Sequence, residues 1–462
     1  MPSPNASGRA IIIGASLAGL AAARVLLDHF DEVVLLDRDR LPEGADFRIG
    51  VPQGRQYHVL LKGGELLYES LFPGLSQSLV ARGAPTLHWG TDVRWHHTGG
   101  WKRQHPRGVT TFSCSRPLLE SEVRARVRSD ARVRILDRTT VRALVCDPTR
   151  GRALGVRIER RPDEGPPSND VLEGALIVDA SGRESKAPAW LAALGASTPE
   201  EVHVDASMGY ASRLYRPPAA RPAWKGLILH PTPPDRRQGS IFPNESGLWH
   251  VTLSGYAGDH PPTDEEGFLR FAASLDAPDL HEALRDATPL SPIHGYRRTE
   301  NRLRRYDRLR RPLEGFIVLG DAVCALNPIY GHGMSTAAMA ATVLASELRR
   351  HARGPLAPGF AKSFYAQQGK ALQIPWMAAT VADAPYTQMS VGGFTRFVHR
   401  FALGYSARLA RLSVHDTAAF EALLHVGHLL RAPSSLFHPF IVLRALGLLG
   451  RPPQLEKAPV EA

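Results

Sequence analysis

The stretch from Arg9 to Asp37 ties the chain to one supersecondary unit. Arg9-Ala10-Ile11-Ile12-Ile13 is a continuous apolar run of strand length, the pattern of a parallel strand buried on both faces. Gly14-Ala15-Ser16-Leu17-Ala18-Gly19 then opens a helix carrying Leu20, Ala21, Val25 and Leu26. A second apolar run, Val33-Val34-Leu35-Leu36, ends on Asp37-Arg38. Strand, Gly-rich turn, helix, strand and terminal acid make a βαβ unit whose helix N-terminus presents free N–H groups to a pyrophosphate. Gly14 serves the tight turn, Gly19 lets helix and strand approach closely, and Asp37 accepts from ribose hydroxyls. The position between them that is usually glycine is Ser16, whose hydroxyl can donate to phosphate while its Cβ crowds the closest approach. A nucleotide-binding, Rossmann-like α/β layer is therefore predicted.

A second stretch, Phe316 to Ala341, repeats this logic. Phe316-Ile317-Val318-Leu319 suits a buried strand and Gly320-Asp321 closes it. Asn327-Pro328-Ile329-Tyr330-Gly331-His332-Gly333 is a loop leading into an Ala- and Met-rich helix that runs to about Arg350. A carboxylate at a strand end beside a Gly-rich turn surrounds a small polar cavity with one acceptor and several free N–H groups. A third strand, Ala175 to Asp179, ends on Asp179-Ala180-Ser181-Gly182-Arg183-Glu184-Ser185, which either supports the ligand or caps the helix holding Trp190 and Leu191. Arg116-Pro117-Leu118-Leu119-Glu120 starts an amphipathic helix through Val127, with Ser115 or Ser113 as its N-cap. Arg48 to Leu61 carries Arg48 and Arg55 around a Pro-Gly break, reading either as a ligand loop or as a solvated one.

Between 202 and 306 the pattern changes to alternating strands, Ser207-Tyr215, Lys225-His230, Ser240-Pro243, Leu248-Ser254 and Leu290-Tyr296, interrupted by one helix, Asp264-Leu275. Met208, Tyr210, Leu229, Phe242 and Trp249 are candidates to line a substrate pocket on its inner face, or else belong to its core. Arg161 to Asp170 reads as an exposed hairpin tip, and Arg297 to Arg311 as a charge-laced surface with helical spacing. Beyond 353 the chain is helical, with amphipathic segments Phe360-Leu372, Pro375-Val381, Phe394-Leu412 and Thr417-Leu430. The predicted organisation is a nucleotide-binding domain over 1–200, an inserted mixed or antiparallel β-sheet substrate domain over 201–305, a return to the first domain over 306–352, and a helical region over 353–462.

Composition bounds the partners. The net charge of +11 favours anionic ligands, among them dinucleotides and lipid headgroups, although a solvated basic surface is the readier explanation. A peripheral membrane contact stays open on that ground. No reader motif or basic-aromatic interleaving accompanies the charge, so nucleic acid is not an expected partner. The three cysteines, Cys114, Cys146 and Cys324, have neither disulfide-framework nor zinc spacing, and the later histidines are scattered, so no metal is expected. The first apolar run stops at Gly14, and Leu436 to Leu449 is interrupted by His438, Pro439 and Arg444. Neither a secretory signal nor a membrane span is expected, and a cytoplasmic location fits. Oligomeric state is not legible.

Taken together, the Gly14–Asp37 unit, the Asp179 turn and Gly320-Asp321 with Pro328 and Gly331–Gly333 resemble the flavoprotein monooxygenases of the para-hydroxybenzoate hydroxylase fold, over roughly residues 8 to 350. Gly50-Arg55, Ser115-Glu120, Asp179-Ser185 and Asn327-Ser335 look closest to the FAD-dependent epoxidases of polyether biosynthesis. The resemblance implies FAD, with Asp37 and Arg38 at the adenosine ribose, Val141 at the adenine, Arg55 and Arg116 toward the pyrophosphate and ribityl chain, and Asp321 on a ribityl hydroxyl. Pro328 would lie beside the flavin ring, and N–H groups from Gly331, His332, Gly333 and Met334 would face its N1–C2=O edge. His332 is the one loop histidine placed to move a proton, or else a hydrogen-bonded residue that holds the loop. Relatives usually show Arg-His-Ala-His where this chain has Arg55-Gln56-Tyr57-His58, and Ala180-Ser181 replaces an Asp-Gly seen in aromatic hydroxylases.

The implied activity is insertion of one oxygen from O2 into a hydrophobic substrate through a flavin C4a-hydroperoxide, foremost alkene epoxidation of an elongated polyene or polyketide. Electrons would come from NADPH or NADH, directly or through a separate flavin reductase. The alternatives are an aromatic hydroxylase, a flavin reductase of isoprenoid double bonds and, outside enzymes, a flavin-free lipid-binding escort module. A halogenase is disfavoured, since no Trp-x-Trp pair followed by Ile-Pro occurs in the chain.

Overall fold

A computed structural model describes residues 8–147, 151–162, 165–351, 357–387 and 404–448. Five parallel strands form the nucleotide layer in the order Phe316–Val318, Leu176–Asp179, Arg9–Ile13, Glu32–Leu36, Val133–Leu136. Ile11, Ile12, Val33, Val34, Val178 and Ile317 are fully buried, as their uninterrupted apolar runs require when helices cover both faces. The helix Leu17–Leu26 packs on the long helix His332–Arg350 through small side chains, Ala21 to Ala23 facing a helix rich in buried alanines. Both helices thereby bring their N-termini to the carboxyl ends of the strands, where Ile13, Leu36 and Asp179 end.

An eight-stranded sheet stands beside this layer. Its path runs Thr288–Pro289, Gly209–Arg216, Trp249–Gly255, Arg237–Pro243, Gly226–Leu229, Val93–His97, Gly100–Trp101, with His294–Tyr296 also paired to Gly209–Arg216. The sheet is mostly antiparallel, but Val93–His97 joins Gly226–Leu229 in parallel, so the inserted layer draws on chain from well before 201. One face is packed by the helices Glu265–Ala273 and Asp279–Arg285, the second of which has too few residues to show a clear helical period in the sequence.

Three sequence expectations change. The hairpin tip shrinks, because Ser168–Glu173 pairs with Arg152–Arg160 as a third strand beside Thr139–Asp147. The basic run Arg297 to Arg311 is not a helical surface: Asn301–Arg304 is the middle strand of a small sheet between Glu201–Val204 and Cys324–Ala325. Arg304 is buried there, its Nε donating to Glu201 at 2.6 Å and its Nη1 to the Ala322 carbonyl at 3.0 Å. The segments expected to break before Pro375 form one helix, Phe360–Asp383, with Pro375 inside it. Residues 394–403 of the Phe394-Leu412 segment and residue 449 of the late apolar segment lie outside the described residues; 404–413 is helical. Among the described residues no helix is long and apolar enough to cross a membrane.

Candidate functional site

The turn after Arg9–Ile13 is held by its own backbone. Gly14, at φ +101°, donates its N–H to the Leu36 carbonyl at 2.7 Å, locking the two strand ends together. Ser16, by contrast, sits at φ −94°, ψ −175°, an extended conformation open to any residue, so the departure from glycine carries no backbone strain. Its hydroxyl donates to Glu120 Oε2 at 2.6 Å and accepts from Arg116 Nη2 at 2.8 Å. Ser115 caps the Arg116–Arg128 helix, its Oγ accepting from the Leu118 N–H at 3.2 Å, and this cap aims Arg116 at the turn.

Asp37 is buried, and its carboxylate accepts from the Ala15 and Asp39 N–H groups at 2.8 and 3.0 Å and from Arg48 Nη1 at 3.0 Å. Arg48, with 7% of its side chain exposed, also donates to Asp39 at 3.3 Å and to Glu120 at 3.0 Å. Of the two arginines in the 48–61 loop, the functional wall therefore contains Arg48. Arg55 is exposed, its guanidinium 4.8 Å from the Phe47 ring, and lies outside the lining. Arg48 carried no local signal, because its partners are residues 37, 39 and 120.

These groups line a cavity of about 1180 Å³ that follows the carboxyl edge of the parallel sheet. Arg38 and Val141 stand with Asp37 around one region. Gly14, Ser16, Leu17 and Arg116 border the turn, and Asp321, Pro328, Gly331, Gly333 and Met334 border the loop region. Gly19 does not line the cavity; it lies where the helix meets the turn behind it. Gly331, at φ +67°, turns the chain from Pro328–Tyr330 into the helix His332–Arg350, leaving the N–H groups of the first helical turn without intrahelical partners. Asp321 accepts no hydrogen bond from any described residue; burial raises its pKa, opposed by Arg183 and Arg116. His332 faces away. It is buried, lines neither cavity, keeps Nδ1 without a partner among the described residues, and burial lowers its pKa to about 4. The helix phase that brings Gly331, Gly333 and Met334 to the cavity turns residue 332 into the protein, which removes it as a proton carrier.

A second cavity of about 240 Å³ meets the first, the two sharing Gln53, His58, Tyr296, Pro328 and Gly331 in their walls. Its floor is the eight-stranded sheet, on the face opposite the two helices. Of the five candidates from the sequence, Tyr210 and Phe242 lie on this face. Leu229 and Trp249 do not: they point into the core under the helices, and Ile228, next to Leu229, and Thr252, on the opposite face of the Trp249 strand, line the cavity instead. Met208 packs with Ala206, Tyr210 and Tyr256 beside the floor and lines neither cavity. Gly226–Leu229 is apolar on both faces, so period 2 gave no preference there, whereas the alternation of Trp249, Val251 and Leu253 with His250, Thr252 and Ser254 did mark the core face of its strand. Leu423, Leu424 and His428 cover the cavity from the C-terminal region, through the helix Thr417–Gly427 and the residue that follows it.

The loop between the cavities hangs on a buried polar cluster. Tyr210 Oη donates to Asn327 Oδ1 at 2.6 Å, and the Asn327 N–H donates to Asn301 Oδ1 at 2.8 Å. Asp383, fully buried at the end of the helix Phe360–Asp383, accepts from Tyr330 Oη at 2.5 Å, Asn301 Nδ2 at 2.6 Å and Asn327 Nδ2 at 3.2 Å.

No family model matches the chain. Protein Rv3254 of Mycobacterium tuberculosis (strain ATCC 25618 / H37Rv) is 32% identical over 393 residues, covering 83% of this chain and 81% of that protein. Among solved structures, a triple mutant of the flavin-dependent brominase Bmp2 superposes with a TM-score of 0.65 at 14% identity, over 95% of this chain and 99% of that one. The flavin-dependent halogenase CmlS gives 0.63 at 15%, over 88% and 73%. PqsL, a probable FAD-dependent monooxygenase from Pseudomonas aeruginosa, gives 0.58 at 17%, over 82% and 98%. The chain thus has the fold of the FAD-dependent monooxygenases and halogenases, and it belongs to the family of Protein Rv3254.

Proposed function

We propose that this protein is an FAD-dependent monooxygenase that places one atom of O2 on a compact, electron-rich apolar substrate, foremost by alkene epoxidation. The observation that carries this reading is the junction of the two cavities at Pro328 and Gly331. The larger cavity suits FAD in its chemistry: an unpartnered carboxylate at Asp321 for a ribityl hydroxyl, Ser16 and Arg116 at a helix N-terminus for the pyrophosphate, and Val141 for the adenine. When bound, FAD would supply the two-electron activation of O2. The chain's residues hold the substrate against Pro328, keep water out with Tyr57, Phe242 and Leu424, and offer the free N–H groups after Gly331 to developing negative charge, each worth roughly 3 kcal/mol in a dry site.

The walls of the smaller cavity favour epoxidation over phenol hydroxylation. They contain no Asp, Glu, Lys or Arg among the described residues. Burial lowers the pKa of His58 to about 3 and those of His230 and His428 to about 4. Such bases are poorly matched to a phenol that releases its proton near pH 10. Oxygen transfer to an alkene needs no proton abstraction, only placement. The volume, about eight times that of a liquid water molecule, favours a one- or two-ring compound over an elongated polyene. NADPH or NADH, directly or through a separate flavin reductase, is the proposed electron source.

The protein should purify yellow, and with reduced nicotinamide, a flavin reductase and ¹⁸O2 it should incorporate one ¹⁸O into a small styrene-type alkene. A colourless protein, or a hydrogenated product without ¹⁸O, would reject this function in favour of a carrier or a reductase. Asp321→Ala should weaken FAD binding by about 10- to 100-fold, the loss of one hydrogen bond to a carboxylate. Equilibrium titration of apoprotein with FAD measures this, and unchanged affinity would show that Asp321 does not hold the cofactor.

A further inference from the structure

His58 stands where the two cavities meet. It is half-buried and lines both, together with Gln53, Tyr296, Pro328 and Gly331. Its ring is anchored through Nδ1, which lies 2.8 Å from the Gln56 carbonyl oxygen. A carbonyl oxygen can only accept, so Nδ1 carries the proton and the neutral ring leaves a bare lone pair on Nε2. Burial, with Arg116 nearby, lowers the His58 pKa to about 3, which keeps the ring neutral in this tautomer near pH 7. Nε2 has no hydrogen-bond partner among the described residues, and it is not one of the polar atoms that the protein seals from solvent.

The anchor is itself held, so the direction of that lone pair is fixed. Gln56 is buried, its Nε2 donating to the His294 carbonyl at 3.0 Å and its Oε1 accepting from Ser212 Oγ at 2.5 Å. The Arg55 carbonyl accepts from His250 Nε2 at 3.1 Å, and the Tyr57 ring stacks on Phe242 with centroids 4.4 Å apart. The residues before His58 are thus tied to the eight-stranded sheet one after another. Gln53 and Tyr296, also shared by the two cavities, can each donate as well as accept and turn to suit a ligand, whereas Nε2 of His58 can only accept. The wall around it is largely apolar, with Tyr57, Val59, Pro328 and Ile329. A ligand that fills this junction displaces water from Nε2, and it loses affinity unless it brings a donor of its own.

We propose that His58 is a specificity-determining acceptor for a hydroxyl that the substrate carries beside its oxidisable carbon. The proposal rests on the reading of the smaller cavity as the substrate site, with Pro328 at its reacting end. It narrows the substrate class from electron-rich apolar compounds in general to compact allylic alcohols. A site built to hold an O–H also rejects the hydrocarbon that lacks it, because the acceptor would then stay unpaired. An amine fits less well: near pH 7 it is an ammonium, Arg116 adds positive charge close by, and no carboxylate lines the smaller cavity among the described residues. Holding an O–H differs from removing its proton, so a ring too weakly basic to ionise a phenol still serves.

α-(Hydroxymethyl)styrene and α-ethylstyrene test this, since they match in shape and differ in O–H against CH3. Calorimetric titration of the FAD-loaded protein with each gives the ratio of their affinities. His58→Leu should lower the alcohol-to-hydrocarbon ratio by about tenfold, through the lost hydrogen bond and the removal of an acceptor that the hydrocarbon leaves unpaired. His58→Gln, whose amide oxygen reaches the place of Nε2, should keep the ratio within about threefold. The methyl ether of the alcohol keeps the oxygen but cannot donate, and should respond to His58→Leu as the hydrocarbon does. Flavin content and circular dichroism report whether each variant is folded and loaded. The assignment would be overturned by an unchanged ratio in His58→Leu, a ratio equally low in His58→Gln, an ether that follows the alcohol, or no saturable binding of either probe. A loss confined to FAD affinity would also overturn it, by showing that His58 serves the cofactor. The two readings fail separately. ¹⁸O incorporation into both probes with an unchanged ratio leaves the monooxygenase standing and removes the His58 contact, whereas a shifted ratio without ¹⁸O incorporation does the reverse.

Discussion

Gly19→Ala is expected to destabilise the fold and to cost the protein its copurified flavin. A Cβ at this position would lie 1.8 Å from the Gly14 carbonyl oxygen and 3.2 Å from Ile12 Cγ2. The first contact is with backbone, so no rotamer change relieves it, and the helix Leu17–Leu26 would have to move off the strand. That movement is opposed on both sides. Gly14 is bonded to Leu36 and leaves no room to retreat, since a Cβ there would stand 2.6 Å from the Ala180 carbonyl oxygen. The helix is backed by the long helix His332–Arg350. Overpacking ordinarily costs about 1–3 kcal/mol, and a clash met by fixed backbone belongs at or beyond the top of that range. A melting temperature lower by roughly 3 °C or more and loss of copurified flavin are expected. Thermal unfolding with flavin absorbance measures both, and a variant with the original values of each would show that helix and strand need not approach so closely.

That contact was readable without coordinates because everything it needs lies within about thirty residues: two apolar runs, a Gly-rich turn and a terminal acid. The same holds for Phe316 to Ala341, where Asp321, Pro328 and Gly331 reach one cavity through consecutive elements. Legibility ended where position depends on packing between distant segments. Arg48 and Arg55 are seven residues apart in the same loop, and the carboxylates of Asp37, Asp39 and Glu120 decide which is buried. Leu229 and Ile228 are both apolar, and the helices Glu265–Ala273 and Asp279–Arg285 decide which of them faces the core. His332 was ambiguous for a similar reason, since one residue of helix phase separates a cavity wall from the interior.

The convergence of the buried polar cluster was beyond sequence reading. Asn301, Asn327 and Asp383 come from a strand, a loop and a helix end, and although Asn327 belongs to the loop the sequence singles out, nothing local pairs it with the other two. Their convergence links fold to function: the last turn of the helix Phe360–Asp383 fixes the loop that separates the two cavities.

Asp383→Ala should therefore be the second large effect. It strands three buried donors, Tyr330 Oη, Asn301 Nδ2 and Asn327 Nδ2, each worth about 1–3 kcal/mol when left unpaired. Because the three share one acceptor their losses do not add fully, and roughly 3–5 kcal/mol of unfolding free energy is expected to disappear. Asp383→Asn gives a sharper signature. Burial raises the carboxyl pKa above its usual 3.8, the hydrogen bonds from Tyr330, Asn327 and Asn301 only partly opposing it. A carboxyl raised on folding stabilises most when it is protonated in both states. Its contribution is full below the unfolded pKa and is lost as pH rises through the folded one. The stability advantage of the unsubstituted protein over Asp383→Asn should accordingly be greatest at the acid end and shrink as pH climbs from about 4 toward neutrality. Urea unfolding of both proteins across that window measures the difference directly. A difference that stays flat, or grows with pH, would show that Asp383 holds the loop as a carboxylate already ionised, and that desolvation does not govern it.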